Sequence, residues 1–523
     1  MTAMKRNKFI IALTVISLLA STGCKKYLDL APKNQRTVTT AQDVKSLLAN
    51  YLRSITTFGV APKPGTTTTS INAMCPVYAN LMFESYSDNI DFDVALTQTY
   101  LKSNNIHQTQ EKVYADWLLW NDYNSPTKIW TEYYQLIGFF NALIDQMLEE
   151  VKDGTPALRD QLLGEMYATR AYYFFKLLQY FGQYKNAALG IPVYLHSGKE
   201  VLSVDMSRKS HADVYKTILE DLNNAMQMAE RTQPLTGYNV LFNSRYLHHL
   251  TAQVYWYKAE SPAKETGDYD QVKTHAAIAA ENTESVIPVT GANMILAQSG
   301  KLTDYPAVCM ENNIQGGVSA IYGSCYQYLA AFSPENIPLK ADFCALFKPG
   351  DIRNAIYFNA NPAVAGGKVG PEGQVLNWAW PSDGSTIGSV KRGNLSLLRP
   401  EEAWLMLAEA QFRSNQPGDA IITLNKFKSF RNAGTADGLS GDALLQEIID
   451  ERRKEFFGDS DKRWLDLKRY GGKTITRNLR FFQKEYTLKA EPNDYHYALP
   501  IPLVEIQQNR NIVPNEGWIT IEY

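Results

Sequence analysis

The chain has 523 residues, of which 45% are hydrophobic and only 20% are charged. This composition provides for a large buried core and excludes intrinsic disorder over most of the chain. The formal net charge of -2 excludes a dedicated nucleic-acid binder, because such proteins normally present a basic face. No apolar run reaches the roughly 20 residues that a membrane-spanning helix needs.

The N-terminus has the pattern of a secretory signal. Residues 1–8 carry three basic and no acidic side chains, residues 9–20 are largely apolar, and small residues lead to Cys24. A cysteine at this point resembles the acylated cysteine of bacterial lipoproteins. We therefore expect a signal peptide over 1–23, lipid attachment at Cys24 and a tether over 24–40. Ordinary signal cleavage beside an incidental cysteine is the alternative.

Four further cysteines, Cys75, Cys309, Cys325 and Cys344, match no zinc-ligand spacing. In an exported chain they could form two disulfides, in any one of three possible pairings. Buried free thiols are equally compatible with the sequence, so their disulfide state stays open.

Helical periodicity is strong on both sides of an irregular central region. Apolar residues recur at helical spacing from Leu163, Val214 and Leu247, and again from Leu405 and Ile421. Gly-Asp or Asp-Gly breaks at 153–154, 267–268 and 418–419 divide these stretches into helix pairs. Such pairs bury their apolar faces by stacking on neighbours, as tetratricopeptide (TPR) repeats do.

The sequence therefore predicts a mostly α-helical protein with TPR-like helix pairs over 41–286 and 401–523. Residues 287–400 are rich in Gly, Pro, Asn and Ser, which predicts loops with a few short strands. We expect residues 24–523 to form one compact globule. Loops on a rigid scaffold are common places for binding sites.

Charged residues cluster at helical spacing over 451–455 and 463–469. We interpret them as an interhelical salt-bridge lattice and not as catalytic groups. His248 and His249 are adjacent on a predicted helix and face different sides, which argues against a shared metal ion. Asp88, Asp91 and Asp93 could hold a structural Ca²⁺, but they lack the EF-hand pattern. We expect no cofactor.

Seven motifs occur in order along the chain, at 24–29, 84–88, 130–141, 164–193, 398–431, 451–469 and 499–518. In this order they resemble the SusD/RagB family of outer-membrane nutrient-uptake lipoproteins. The resemblance implies a SusD-like fold and a non-catalytic lipoprotein on the outer face of the outer membrane. It also implies that the protein binds polysaccharide or oligosaccharide and passes it to a SusC-like TonB-dependent barrel.

Two alternatives stay open. The first is a secreted, helical glycan-degrading enzyme, which the absence of HExxH, GxxxxGK[ST], GxGxxG and GxSxG motifs disfavours. The second is an uptake receptor for peptides or glycopeptides.

Sugars present flat C–H faces and rims of hydroxyl groups, so a sugar site needs exposed aromatic rings beside polar side chains. Aromatic residues in the helical stripes are needed in the core, and three clusters in loop-like stretches remain. The candidate ligand-binding residues are Trp120 and Tyr123 with Asp88 and Asn89; Tyr322, Tyr326 and Tyr328; and Trp378 and Trp380. In the resembled family, ligand contacts tend to come from the segment after the early acidic motif and from the irregular middle region. This favours the first two clusters. Half-buried packing is the alternative role for each tryptophan.

Overall fold

The computed structural model describes residues 38–56, 83, 85–89, 108–197, 205–232, 243–290, 293–294, 340–354, 398–457, 461–518 and 521–523. Within these ranges the protein is mostly α-helical, as the periodicity predicted. The helices are α1 (Ala41–Thr56), α2 (Gln108–Leu118), α3 (Asn124–Glu149), α4 (Pro156–Phe181), α5 (His211–Glu230), α6 (Ser244–Lys258), α7 (Asp268–Ala280), α8 (Ala341–Cys344), α9 (Pro400–Arg413), α10 (Pro417–Arg431), α11 (Gly441–Glu455), α12 (Lys462–Arg469) and α13 (Leu503–Gln508). No helix in this part of the chain is long and apolar enough to cross a bilayer.

Consecutive helices pack against each other, in agreement with the predicted helix pairs. Contacts join α3 to α4, α4 to α5, α6 to α7 and α9 to α10, and α7 also packs on α9. The larger hydrophobic core includes the predicted stripe residues Phe174 and Leu222, both fully buried. A smaller core, with Leu424 and Phe427, lies between α9, α10 and α11. The apolar faces are therefore buried between neighbouring helices.

The turn between α3 and α4 shows why the chain breaks where the sequence predicted. Gly154 has φ +90°, a conformation that costs little only for glycine. A Cβ at this position would lie 2.9 Å from the Cβ of Ala41. Thr155 then caps α4, because its side-chain oxygen accepts a hydrogen bond from the Leu158 amide at 3.2 Å. Pro156 occupies the first turn of α4, where a backbone N–H has no acceptor within the helix, so the missing N–H of proline costs no hydrogen bond.

One predicted break is displaced. The Gly-Asp pair at 418–419 lies in the first turn of α10, which begins at Pro417. The break itself comes at 414–416, directly after α9. Proline suits the first turn of a helix, so the helix starts at Pro417 despite the glycine behind it.

A β-hairpin of strands β1 (Ile475–Phe481) and β2 (Lys484–Ala490) follows α12, and the sequence analysis missed it. The strands are antiparallel, and Ile475 pairs with Ala490. Residues of β1 alternate between buried and partly or fully exposed positions, which is the pattern of a half-buried strand. Short strands were expected only in 287–400, most of which lies outside the described residues.

Candidate functional site

Asp88 and Asn89, two of the predicted ligand-binding residues, are engaged by arginines of the C-terminal region. The Asp88 carboxylate accepts hydrogen bonds from Arg463 Nε at 2.6 Å and from Lys473 Nζ at 3.0 Å. Asn89 Oδ1 accepts one from Arg453 Nε at 2.9 Å. Burial raises the pKa of Asp88, but the facing cations outweigh burial and hold this pKa well below its ordinary value. Asp88 is therefore an ionised structural anchor.

The same anchor joins two distant parts of the chain. The Lys340 amide donates a hydrogen bond to the Asn89 carbonyl at 2.9 Å. Asn89 directly precedes residues 90–107 in the chain, and Lys340 directly follows residues 295–339; both of these segments lie outside the described residues. Asp342 lies beside it, 3.2 Å from Arg453 and 3.5 Å from Lys473. We call Asp88, Asn89 and these neighbours the root junction.

Arg353 and Arg399, which flank residues 355–397 in the chain, both contact one buried carboxylate, that of Glu455 on α11. Before the segment, Arg353 Nη1 lies 3.3 Å from Glu455 Oε2. After it, Arg399 Nη2 donates to Glu455 Oε1 at 2.5 Å. Arg431 donates to both oxygens of Glu455 at 2.8 Å. These ion pairs form the Glu455 cluster. Arg452 on α11 also pairs with Asp466 on α12 at 2.8 Å, which confirms the predicted interhelical salt-bridge lattice.

Polar groups remain accessible at the root junction. The side chains of Lys473 and Asp342 are 50% and 54% exposed, whereas that of Asp88 is 7% exposed. The root junction therefore combines a buried, charged interior with a solvent-exposed, charged rim. Such a rim can donate and accept hydrogen bonds with a polar ligand.

The prediction that Trp120 presents an exposed ring is wrong. Its side chain is 1% exposed. The ring centroid lies 4.8 Å from that of Tyr86 and 5.7 Å from that of Tyr497, and Nε1 donates to the Ser85 carbonyl at 3.4 Å. Trp120 adopts φ +53° in the turn after α2, and its ring packs into the core.

Tyr123 is half-buried and belongs to an aromatic patch with Trp518 and Tyr495. The ring centroids of Tyr123 and Trp518 are 6.0 Å apart, and those of Tyr495 and Trp518 are 5.3 Å apart. Trp518 Nε1 donates to the Ala498 carbonyl at 2.8 Å, which fixes the indole. The sequence analysis placed Trp518 only in a family motif and missed this patch. The polar pair Asn493-Asp494, which directly precedes Tyr495, is the sequence signal that could have indicated this patch.

Several predicted residues lie outside the described part of the chain: Cys24, Cys75, Asp91, Asp93, Cys309, Tyr322, Cys325, Tyr326, Tyr328, Trp378 and Trp380. Their proposed roles stay predictions. Cys344, at the end of α8, is buried. Among the residues that the structure does describe, no group of three or more His, Cys, Asp or Glu side chains is placed to hold a metal ion.

Comparison with known protein families shows which family the chain belongs to. A family model described as "Starch-binding associating with outer membrane" matches residues 26–235, and the model of the SusD family matches residues 379–518. The chain belongs to the SusD family. Both halves of this SusD-family protein therefore match, as the order of its motifs suggested.

Relatives of known name are similar over part of their length. The starch-binding protein SusD of Bacteroides thetaiotaomicron is 31% identical over 147 residues, which is 28% of this chain and 26% of that protein. A SusD-like protein of Formosa agariphila is 31% identical over 129 residues, or 24% of each chain. The aligned stretch thus spans about a quarter of these relatives.

Solved structures extend the likeness to the whole fold. A SusD-like carbohydrate-binding protein from Bacteroides vulgatus superposes with a TM-score of 0.65 at 18% identity, over 91% of this chain and 98% of that one. A SusD superfamily protein from B. thetaiotaomicron gives 0.64 at 20% identity, over 91% and 100%. The predicted SusD-like fold is therefore confirmed.

Proposed function

We propose that this SusD-family protein is a non-catalytic outer-membrane lipoprotein that binds polysaccharide or oligosaccharide and passes it to a SusC-like TonB-dependent barrel. Membership of the SusD family carries the proposal. One matching family model is described as starch-binding and associated with the outer membrane. One similar solved structure is described as a carbohydrate-binding protein.

The arrangement of the anchors supports a site on the segments that they hold. By sequence, Tyr322, Tyr326 and Tyr328 lie in 295–339, and Trp378 and Trp380 lie in 355–397. Lys340, which follows the first segment in the chain, lies at the root junction, and Arg353 and Arg399, which flank the second, lie in the Glu455 cluster. Buried ion pairs hold these attachment points in place, and fixed attachment points lower the entropy lost when a ligand binds. The half-buried Tyr123 adds a candidate on the described surface.

The charge state of the lattice disfavours an enzymatic role for its acids. A glycosidase needs a carboxylic acid that stays protonated near neutral pH. Burial raises the pKa of Glu451, but Arg353 and two lysines bring it to about 2. Asp88 is likewise held ionised. Glu451 and Asp88 are therefore poor proton donors.

We expect the protein to bind a glycan with micromolar to millimolar affinity in an array screen followed by calorimetric titration. Aromatic rings supply much of the contact area in such sites, so Tyr123→Ala, Tyr326→Ala and Trp380→Ala should each weaken binding about 10-fold, or about 1.4 kcal/mol. Tyr167→Ala is the matched control, because this half-buried tyrosine lies on the α4 scaffold.

Three results would contradict this prediction, each in a different way. If all three folded variants bind like wild type, the site lies elsewhere. New reducing ends after incubation with the pure protein would establish the enzyme alternative. Preferential binding of peptides or glycopeptides in the same screen would change the ligand class and leave the receptor role in place.

Replacing Cys24 by alanine tests the proposed lipid anchor. The acyl chains are attached through the cysteine sulfur, and two or more chains hold a protein stably on a bilayer. The alanine variant should therefore leave the membrane fraction or stall before signal cleavage. Immunoblots of fractionated cells that lack the partner barrel measure this directly. Normal maturation and full retention in the outer membrane would exclude lipidation at Cys24.

The proposed transporter partner predicts co-purification. After gentle detergent extraction of native outer membranes, affinity capture of the protein should recover a TonB-dependent barrel, identified by mass spectrometry. An unrelated outer-membrane lipoprotein carrying the same affinity tag serves as the control. Repeated recovery of the protein alone, under conditions that preserve other outer-membrane complexes, would count against this partner.

A further inference from the structure

His248 on α6 and His275 on α7 face each other across the helix pair. Their Nδ1 atoms are 2.7 Å apart, and their ring centroids are 4.9 Å apart. Both side chains are half-buried. The ring of Tyr255 stacks on His275, with 6.3 Å between centroids and 10° between planes, and so limits the rotation of this imidazole. The two imidazoles are therefore already oriented towards each other.

The adjacent His249 has a different environment. It is buried, and its Nε2 lies 3.5 Å from Glu402, on the side of α6 that packs on α9. Thus His248 and His249 share no site, in agreement with the argument from their adjacency. The partner of His248 comes from the next helix instead, which the sequence alone did not indicate.

Burial favours the neutral form of both facing imidazoles. Burial and, to a smaller extent, the neighbouring His248 together lower the pKa of His275 to about 4. Burial also lowers the pKa of His248, while Glu230 at the end of α5 acts in the opposite direction. The contact between the Nδ1 atoms is therefore one N–H donating to one lone pair.

We propose that His248 and His275 form a two-imidazole binding site for a divalent transition-metal ion such as Zn²⁺, Ni²⁺ or Cu²⁺. Imidazole nitrogen suits these ions, whereas Ca²⁺ and Mg²⁺ prefer oxygen ligands. The ion replaces the shared proton, and the imidazole that carried this proton at Nδ1 carries it at Nε2 instead.

The geometry requires only a small adjustment. Metal–nitrogen bonds of about 2.0–2.1 Å with an angle between 90° and the tetrahedral value place two ligand nitrogens about 2.8–3.4 Å apart. The observed 2.7 Å is therefore a few tenths of an ångström short. Rotations about the side-chain bonds of His248 can open this gap, because within the described part of the chain the ring of His248 contacts no aromatic ring except that of His275.

The site has two protein ligands, and this number limits its expected affinity for the metal ion. No third His, Cys or acidic side chain completes a cluster there among the described residues. The other coordination positions would thus be filled by water. We expect micromolar affinity, well below that of structural zinc sites with four protein ligands. Because the ion joins α6 to α7 in the folded state only, it should also stabilise the protein.

Calorimetric titration of the full mature chain, with any histidine tag removed, tests the proposal. With ZnCl₂ we expect one ion per chain, micromolar affinity and a higher unfolding temperature, and with CaCl₂ or MgCl₂ no effect. His275→Ala should weaken Zn²⁺ binding at least 10-fold. The control His196→Ala should bind normally, because the His196 side chain is 74% exposed and contacts only Asp145 in the described structure.

Electron paramagnetic resonance with Cu²⁺ identifies the ligands independently of stability. The wild type should show hyperfine coupling to two imidazole nitrogens, and His275→Ala should lose one of them. Circular dichroism verifies that the variant is folded, and His275→Gln replaces it if it is not. Wild type that binds no Zn²⁺, or a folded His275 variant that binds it equally tightly, would overturn the proposal.

Discussion

Replacing Glu455 by glutamine is expected to lower the free energy of unfolding by about 3–5 kcal/mol, because it removes one partner of a buried ion cluster. The Glu455 carboxylate is fully buried and contacts Arg353, Arg399 and Arg431. Burial raises the pKa of Glu455, but the three arginines outweigh burial and hold it below its ordinary value. Glutamine keeps the shape of the side chain and removes a negative charge that three guanidinium groups share.

Urea unfolding followed by circular dichroism measures this loss. The control is Glu220→Gln on α5, whose exposed carboxylate lies 4.0 Å from Lys216 and should change stability by less than about 1 kcal/mol. A cycle with Arg431→Met should show that the two substitutions together cost less than their sum, because Arg431 and Glu455 act as a pair. Equal stabilities of Glu455→Gln and Glu220→Gln would contradict the anchoring role.

The helical scaffold could be predicted because its signals are local. The i,i+4 ladder that includes Leu222 and the stripe that includes Phe174 each lie on one face of one helix, and both residues are fully buried. The hairpin was missed because its strands are short and the expected strand signals were sought elsewhere. Periodicity reports which face of a segment is buried, not what it packs against.

The roles of Asp88 and Asn89 depend on long-range contacts and could not be read from their segment. Their partners Arg463 and Arg453 are 375 and 364 residues away in the chain. An acidic segment looks the same in sequence whether it faces a ligand or an arginine. Trp120 was misassigned for a related reason. Its polar neighbours indicated a loop, but the direction of its ring is set by a positive φ and by packing on Tyr86.

Glu165 is a buried acid of a different kind, because no cation among the described side chains pairs closely with it. It lies on α4, is 5% exposed, and its Oε1 has no hydrogen-bond donor among the described residues. Burial raises its pKa from 4.5 to about 7, against a weaker effect of Lys45 on α1. The folded protein thus prefers the protonated, neutral form of this side chain.

This preference makes stability depend on pH in a defined direction. Because the folded-state pKa of Glu165 lies above the unfolded one, the stabilising contribution is fully present below about pH 4.5 and is lost as the pH rises through about 7. At about 1.4 kcal/mol per pKa unit, Glu165 should lower the free energy of unfolding by roughly 2–4 kcal/mol between pH 4.5 and 8.5.

Glu165→Gln should remove this dependence, because the amide does not titrate in that range. We therefore expect the variant to gain stability relative to wild type as the pH rises from 4.5 to 8.5. Urea titrations at several pH values measure the difference between the two profiles, in which contributions from other titrating groups cancel. Glu220→Gln, which alters an exposed acid, should give a profile parallel to wild type. A parallel profile for Glu165→Gln as well would mean that Glu165 ionises in the folded protein at its ordinary pKa, and hence that water or a cation reaches its carboxylate beneath α1.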